Sequence, residues 1–327
     1  MVEAPPELSV VLVNHNGAGC LPATLEAVAR HTRATAEGLV VDSASTDGSW
    51  REVERHWAAA RAVRFEDNIG FAAGCNRGAE LARGRLVAFV NFDGAVEPDW
   101  DVPLRALLED PSVAVATGLL VTPDGERLEA AGLEIAPNMA TYGRLGGVPR
   151  ARAPTGPIEV TAASGALMMV RRDDFLALGG FAERLWMYGE EADYCLRALD
   201  RGRVVLHPGS ALRHELGHAS GPHQSPVRLY WPSRNRLINA ARHLPPAALA
   251  RSVLASAAFD LLTLAQIRRR WALGTLARGW RDGLRLMPAV RGDRTPAERA
   301  RAARRLVPLR TAIAEQRRLG RLAVRSG

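Results

Sequence analysis

Three short apolar runs, each ending in a polar residue, constrain this chain most. Leu86–Val90 runs into Asn91-Phe92-Asp93-Gly94, Leu8–Val13 into Asn14-His15-Asn16-Gly17, and Gly38–Val41 into Asp42-Ser43. Runs of this length and β-branched content predict buried strands. Ala62–Phe65 predicts another. Between them lie helical patterns, with Leu21, Leu25 and Val28 near helical spacing and a Gly-rich segment continuing to Leu81. Strands alternating with helices over short links make βαβ units, hence an α/β fold with a mostly parallel sheet and helices on both faces. Right-handed crossovers then bring Asn14, Asp42 and Asp93 to one sheet edge, where open α/β sheets bind ligands. A carboxylate there can hold a divalent cation against a phosphate. Its plainer role is to start a turn.

Further along, Trp100–Leu108 predicts a helix and Val113–Val121 a strand. Residues 143–157 hold several Gly, Pro and Arg and read as a loop. Ile158–Ala163 and Ala166–Val170 predict strands around a bend at Ser164-Gly165. Arg172–Leu178 and Glu190–Leu199 predict helices, and Val204–Leu206 a last short strand. From Leu237 the pattern is helical and no longer alternates. This divides the chain into a domain at 1–240 (donor half about 1–120, acceptor half about 121–240) and a helical, Arg-rich extension at 241–327.

Charge follows the same division. There is no Lys, and from Arg236 onward about 20 Arg face 5 acidic residues, so about +15 of charge sits there. With a net charge of +8, the first part carries about −7 (8 − 15). Ala247–Ile267 is apolar over a helical length but carries Arg251 and Asp260, which makes a poor membrane span. It predicts a helix lying on a membrane surface or packed on the body. Arg268-Arg269-Arg270-Trp271, with Trp280 beyond, suits a lipid headgroup interface, so peripheral membrane contact is expected and nucleic acid is not. The 3 cysteines lie far apart, which argues against a disulfide scaffold or thiolate zinc site and fits a reducing cytoplasm. The first residues have neither a basic nor an apolar region, so no secretory signal is expected.

Several stretches together resemble the family 2 inverting glycosyltransferases of GT-A fold. These are Val40-Val41-Asp42-Ser43-Ala44-Ser45-Thr46-Asp47-Gly48-Ser49, Asn68-Ile69-Gly70-Phe71-Ala72-Ala73-Gly74-Cys75-Asn76-Arg77-Gly78, Asn91-Phe92-Asp93, Ser164–Arg172, Gly179-Gly180-Phe181, and Met187-Tyr188-Gly189-Glu190-Glu191-Ala192-Asp193. The ordered set spans roughly residues 8–240 and looks closest to a rhamnosyltransferase-like branch building bacterial surface polysaccharide. The resemblance implies an enzyme of the cytoplasmic face that moves a sugar from a nucleotide-diphosphate donor, such as dTDP-rhamnose, to a glycan or lipid-linked acceptor. It implies Mg²⁺ or Mn²⁺ at Asp93, with His214 as a second ligand. Asn14, Asp42, Asn68, Gly70, Gly74, Asn76, Arg77, Asn91 and Arg234 are then donor-side residues, and Asp47 shapes a turn. Glu191 stands where the family has its catalytic Asp, one methylene longer. Ser164, Gly165, Trp186, Tyr188, Glu190 and Asp193 fall on the acceptor side, although Trp186 and Tyr188 serve a core equally well.

Two other readings are expressed by the same residues. His214-Glu215-Leu216-Gly217-His218 matches the zinc-protease pattern, which needs both histidines on one helix face. The resemblance instead gives His214, with Gly217 and Ser220, to the metal site and leaves His218 without a role. A nucleotide-sugar-binding protein that has lost catalysis is the remaining alternative, supported by Glu191 in place of Asp.

Overall fold

The computed structural model describes residues 4–215, 225–267, 269–308 and 311. The chain opens with β1 (Leu8–Asn14), α1 (Leu21–His31), β2 (Ala36–Ser43), α2 (Val53–His56), β3 (Ala60–Phe65), α3 (Gly70–Leu81) and β4 (Leu86–Val90). β5 (Gly94–Val96), α4 (Asp101–Leu108), β6 (Val113–Val121), β7 (Leu128–Ala130), β8 (Leu133–Ile135), β9 (Thr141–Gly143) and β10 (Ile158–Glu159) follow. Then come β11 (Leu167–Arg171), α5 (Arg172–Ala177), α6 (Glu190–Ala198), β12 (Arg203–His214), α7 (Pro226–His243), α8 (Pro246–Ile267), α9 (Arg270–Val290) and α10 (Pro296–Arg305).

The main sheet runs β10-β12-β6-β11-β4-β1-β2-β3. β3, β2, β1 and β4 are mutually parallel, β11 is antiparallel to β4 and β6, and β12 is parallel to β6. The sheet is therefore mixed, with its N-terminal half parallel. Every side chain of β4 is buried, as the unbroken apolar run requires. One core lies on each side of the sheet, around Val11, Phe89 and Phe181 on one face and Leu12, Ala88 and Trp100 on the other.

Two expectations change at the second half. Val204–Leu206 is part of a longer strand, because the chain continues through a register shift between Leu206 and Ala211 and pairs again with β6 and β5. Ile158–Ala163 is strand only at β10, and Ala162 makes an isolated bridge with Leu133.

Residue 240 falls inside α7, and the C-terminal helices pack on the α/β body. Gly279 and Gly283 set α9 against α7, since a Cβ on either would lie 2.3 Å from Ser233 Oγ or 2.8 Å from the Arg234 carbonyl. α10 is held by ion pairs from Arg301 (3.0 Å) and Arg305 (3.3 Å) to Asp200, which also pairs with the buried Arg294.

α3 packs closely on β1. A Cβ on Gly74 would meet Val13 Cγ1 at 2.7 Å. Gly74→Ala should therefore lose about 1–3 kcal/mol of stability through overpacking, despite the better helix propensity of Ala. Urea unfolding checks this, and adding Val13→Ala should recover most of the loss.

Candidate active site

The sheet edge is built first by register. Asn14 and Asp42 end β1 and β2 opposite each other, and Asn14 Nδ2 donates to Asp42 Oδ2 at 2.7 Å, to Ser45 Oγ at 3.1 Å and to Ser49 Oγ at 2.8 Å. Asp42 Oδ1 accepts from Ser45 N and from Arg64. Both Asn14 and Asp42 are 0% exposed. Asn14 is thus the peg that shapes the turn after β2, and Asp42 lies beneath the Arg64 guanidinium, which also sits 4.9 Å over the Trp50 ring. Asp47 accepts from Ala18 N and Ser49 N, which makes it the turn residue.

The next strand end carries Asp93. Its carbonyl accepts from Glu215 N, and Gly94 pairs with His214 across β5 and β12. The imidazole of His214 comes to the carboxylate this way, with Nε2 3.3 Å from Asp93 Oδ1 and 3.2 Å from Asn91 Nδ2. Its Nδ1 lies 3.0 Å from Glu129 Oε2. Burial alone would lower the His214 pKa, but hydrogen bonds to Asp93 and Glu129 outweigh it and push it up to about 9. Asp93 Oδ1 is buried, with the His214 imidazole as its partner. Among the described residues no group of three or more His, Cys, Asp and Glu side chains could hold a metal ion. Asp93 and His214 offer two ligands, which suits a cation that takes its remaining oxygens from phosphate and water. The zinc-protease reading fails on His214 itself, which ends a strand instead of sitting on a helix. Gly217, His218 and Ser220 lie outside the described residues.

The third element is the turn before α6. Trp186 (φ 62°) and Tyr188 (φ 70°) both hold left-handed backbone, followed by Gly189 at φ 88°. Such conformations cost about 1–3 kcal/mol each and persist only where the surroundings enforce them. Here α7 does so. Asn235 Nδ2 donates to the carbonyls of Leu185 (2.7 Å), Met187 (2.9 Å) and Tyr188 (2.8 Å), and Asn239 Nδ2 to that of Gly189 at 2.9 Å. The helix then opens with Glu190 and Glu191. Burial, and then the charge of Glu191, raise Glu190 well above the usual carboxylate range. Burial also raises Glu191, offset by backbone N–H groups and by Glu190 itself. Burial therefore holds the proton more tightly on Glu190 than on Glu191, which separates the two carboxyls by environment. Glu191 Oε2 accepts from Gly189 N at 3.1 Å.

Several site candidates serve the framework instead. Asn76 clamps Phe181 through both N and O. Arg77 pairs with Glu80 and Glu183 on the surface. Asn68 Oδ1 accepts from Ser43 Oγ and Gly70 N, forming the entry to α3. Gly74 is the packing position on Val13. Gly70, at φ 81°, leaves room for the Trp186 ring. That ring stacks on Trp231 at 4.7 Å, so Trp186 is a wedge and not a sugar platform. Arg234 is buried, lies 5.1 Å over Trp231 and donates to Asn235 Oδ1, which keeps it from reaching for a diphosphate. Asp193 is 0% exposed and is bound by Arg197, Arg242 and His243, so no acceptor can touch it. Ser164 Oγ accepts from Ala166 N, and Gly165 faces Phe71. This loop links the sites: the Ala166 carbonyl accepts from Asn91 N, and Ala163 N contacts Cys195 Sγ on α6.

Sequence reasoning missed Glu129 and the anchoring role of Asn235 and Asn239. Glu129 stands in a short strand far from any quoted motif. Asn235 lies between two arginines in a helix, with no motif around it to mark an anchoring role.

Residues 9–179 match Glycosyl transferase family 2. The O-antigen biosynthesis protein RfbC of Myxococcus xanthus is 26% identical over 70% of this chain and 19% of its own length. The first curated relatives are thus much longer than this chain, which spans 26% and 19% of two of them. S. aureus TarS 1–349, solved with UDP-GlcNAc, superposes with a TM-score of 0.58 at 17% identity, covering 96% of this chain and 92% of that one. GalNAc-T7, solved with UDP, GalNAc and Mn²⁺, gives a TM-score of 0.60 at 19% identity over 75% of this chain and 49% of that one. The likeness of these structures is one of fold, the α/β sheet with flanking helices described above. By its matching sequence and its architecture, the chain belongs to glycosyl transferase family 2.

Proposed function

We propose that this protein is an inverting glycosyltransferase that takes a sugar from a nucleotide-diphosphate donor and passes it to a glycan or lipid-linked acceptor. The observation that carries this reading is the presence, within one fold of this family, of a buried carboxylate at Asp93 paired with His214 and of a carboxyl at Glu191 at the head of α6. dTDP-rhamnose is the finer proposal for the donor, on motif resemblance.

Asp93 and His214 would hold Mg²⁺ or Mn²⁺, which supplies Lewis-acid neutralisation of the departing diphosphate. Glu129 fixes the His214 ring by accepting a hydrogen bond from Nδ1–H, which leaves Nε2 turned to Asp93. Glu191 accepts the proton of the acceptor hydroxyl as that oxygen attacks the anomeric carbon. Support for contact with the inner face of the cell membrane comes from the outward leucines of α8 and the arginines beside it.

Calorimetric titration with UDP, GDP and dTDP, with and without Mn²⁺, tests the donor site. One nucleotide should bind with metal enhancement, Asp93→Asn should abolish that enhancement, and Glu129→Gln should weaken Mn²⁺ binding by about 10–100-fold. No binding of any nucleotide under either condition would overturn the reading.

The glutamate pair makes a separate prediction. Glu191→Gln should lose nearly all turnover, while Glu190→Gln, which copies a protonated Glu190, should keep most of it. Because Glu190 holds its proton longer in the folded than in the unfolded chain, its contribution to stability is full below the ordinary glutamate pKa and is lost as pH rises through the raised one. Melting curves against pH should show this decline in the wild type and a flatter profile in Glu190→Gln.

A further inference from the structure

A chain of buried polar side chains runs from the C-terminal helices to the helix that carries the glutamate pair. Asp193 lies in the first turn of α6, where its N–H donates to the Gly189 carbonyl at 3.0 Å. Its carboxylate is fully buried. Oδ2 accepts from Arg197 of the same helix at 2.8 and 3.0 Å. Oδ1 accepts from Arg242 of α7 at 2.6 Å and faces His243 Nε2 at 2.7 Å. On the far side of that imidazole, His243 Nδ1 lies 2.9 Å from Nη1 of Arg294, which stands between α9 and α10. His243 and Arg294 are both buried. Arg294 also donates to Asp200 and, from Nη1, to the Leu196 carbonyl at 3.3 Å, so it grips the far end of α6 as well.

The direction of this chain is fixed by chemistry. A guanidinium donates and cannot accept, so the nitrogen that faces it must be bare. Nδ1 of His243 is therefore the acceptor, and the single proton of the neutral imidazole sits on Nε2, aimed at Asp193. An imidazolium would set an N–H at Nδ1 against the guanidinium, donor to donor. Burial lowers the His243 pKa; the hydrogen bond and charge of Asp193 oppose this, and the charges of Arg294 and Arg242 reinforce it. Glu191 stands two residues before Asp193 in the same helical turn, so a rotation of α6 that moves one moves the other. Apolar packing tolerates a small rotation. Hydrogen bonds weaken steeply away from their line and resist it.

We propose that Arg294 and His243 are positioning residues for the base. Arg294 selects the imidazole tautomer, the imidazole holds Asp193, and Asp193 sets the angle at which α6 presents Glu191. The segment after α9 is thereby part of the catalytic unit, acting through α6. This rests on the glycosyltransferase reading of Glu191.

The test uses the whole chain, and two substitutions separate the two sides of the imidazole. His243→Gln places an amide N–H near the former Nε2 and keeps the bond to Asp193. His243→Asn places an amide oxygen near the former Nδ1, which keeps an acceptor for Arg294 and loses the bond to Asp193. Turnover is read as nucleoside diphosphate released from a sugar nucleotide, and donor affinity by titration. In His243→Asn and Arg294→Gln, kcat should fall at least about tenfold with affinity within about twofold of wild type, while His243→Gln should keep about half of kcat or more. Metal-supported nucleotide binding shows that each variant folds. A merely structural role would neither rank Gln above Asn nor separate kcat from affinity. Imidazole nitrogen NMR of the wild type adds a measurement that needs no variant to be active: the His243 resonances should show bare Nδ1 and protonated Nε2. Wild-type kcat in both His243→Asn and Arg294→Gln, equal losses in the Gln and Asn variants, or a protonated Nδ1 on His243 overturns the positioning role. A wild-type protein that turns over no sugar nucleotide would instead count against the glycosyltransferase reading on which that role rests.

Discussion

The structure depends most on the hydrogen bonds from α7 to the turn before α6. Asn235 gives its amide to three carbonyls of that turn and Asn239 to a fourth. Without them, left-handed backbone at Trp186 and Tyr188 loses four of the hydrogen bonds that enforce the turn. With them, Glu190 and Glu191 enter a helix at a fixed angle, next to the 163–166 loop that touches the end of β4. Trp186, stacked between Gly70 and Trp231, ties the same turn to α3. The helix that sets the base is itself braced by α9 and α10, so the C-terminal helices bear on the chemistry through packing.

A second organising device is the order of the charges. Asp193, Asp200 and Asp260 are buried or nearly so and are each tied to Arg or His partners. Burial would raise Asp193, but Arg197, His243 and Arg242 hold it well below the usual carboxylate range. Glu190 and Asp93 are different. Neither has an arginine on it: Asp93 faces the His214 imidazole, and Glu190 keeps one buried oxygen without a hydrogen bond. The structural acids are tied to arginines within the fold, and these two acids of the candidate site are not. Breaking a buried pair of the first kind is costly because it strands the opposite charge.

Much of this was legible in the sequence, and for identifiable reasons. The parallel half of the sheet follows from apolar runs whose ends carry Asn14, Asp42 and Asp93, and two of those ends meet directly. The pairing of Asp93 with His214 could be named only through resemblance, since 120 positions of chain and an antiparallel crossing separate them. Short strands such as β5, β7 and β9 left no periodicity to read. Asn76, Asp193, Arg234 and Trp186 were read as ligand contacts because polar and aromatic residues near a motif invite that reading. For Asn76, Asp193 and Trp186 the partners, Phe181, His243 and Trp231, come from elements distant in sequence. The buried polar stripe of α8, Ser252, Ser256 and Asp260, was hidden for the same reason: an apolar helix with small polar residues shows no direction until its neighbours are known.

The most direct measurement of the central claim is donor turnover and donor affinity in Asn235→Ala. Release of nucleoside diphosphate from a bound sugar nucleotide reports turnover, and titration reports affinity. If the α7 amide sets the geometry of Glu191, turnover should fall by about a hundredfold, as a small misplacement of a catalytic group does, while affinity stays within about twofold. Turnover at the wild-type rate would contradict the claim and detach the strained turn from catalysis.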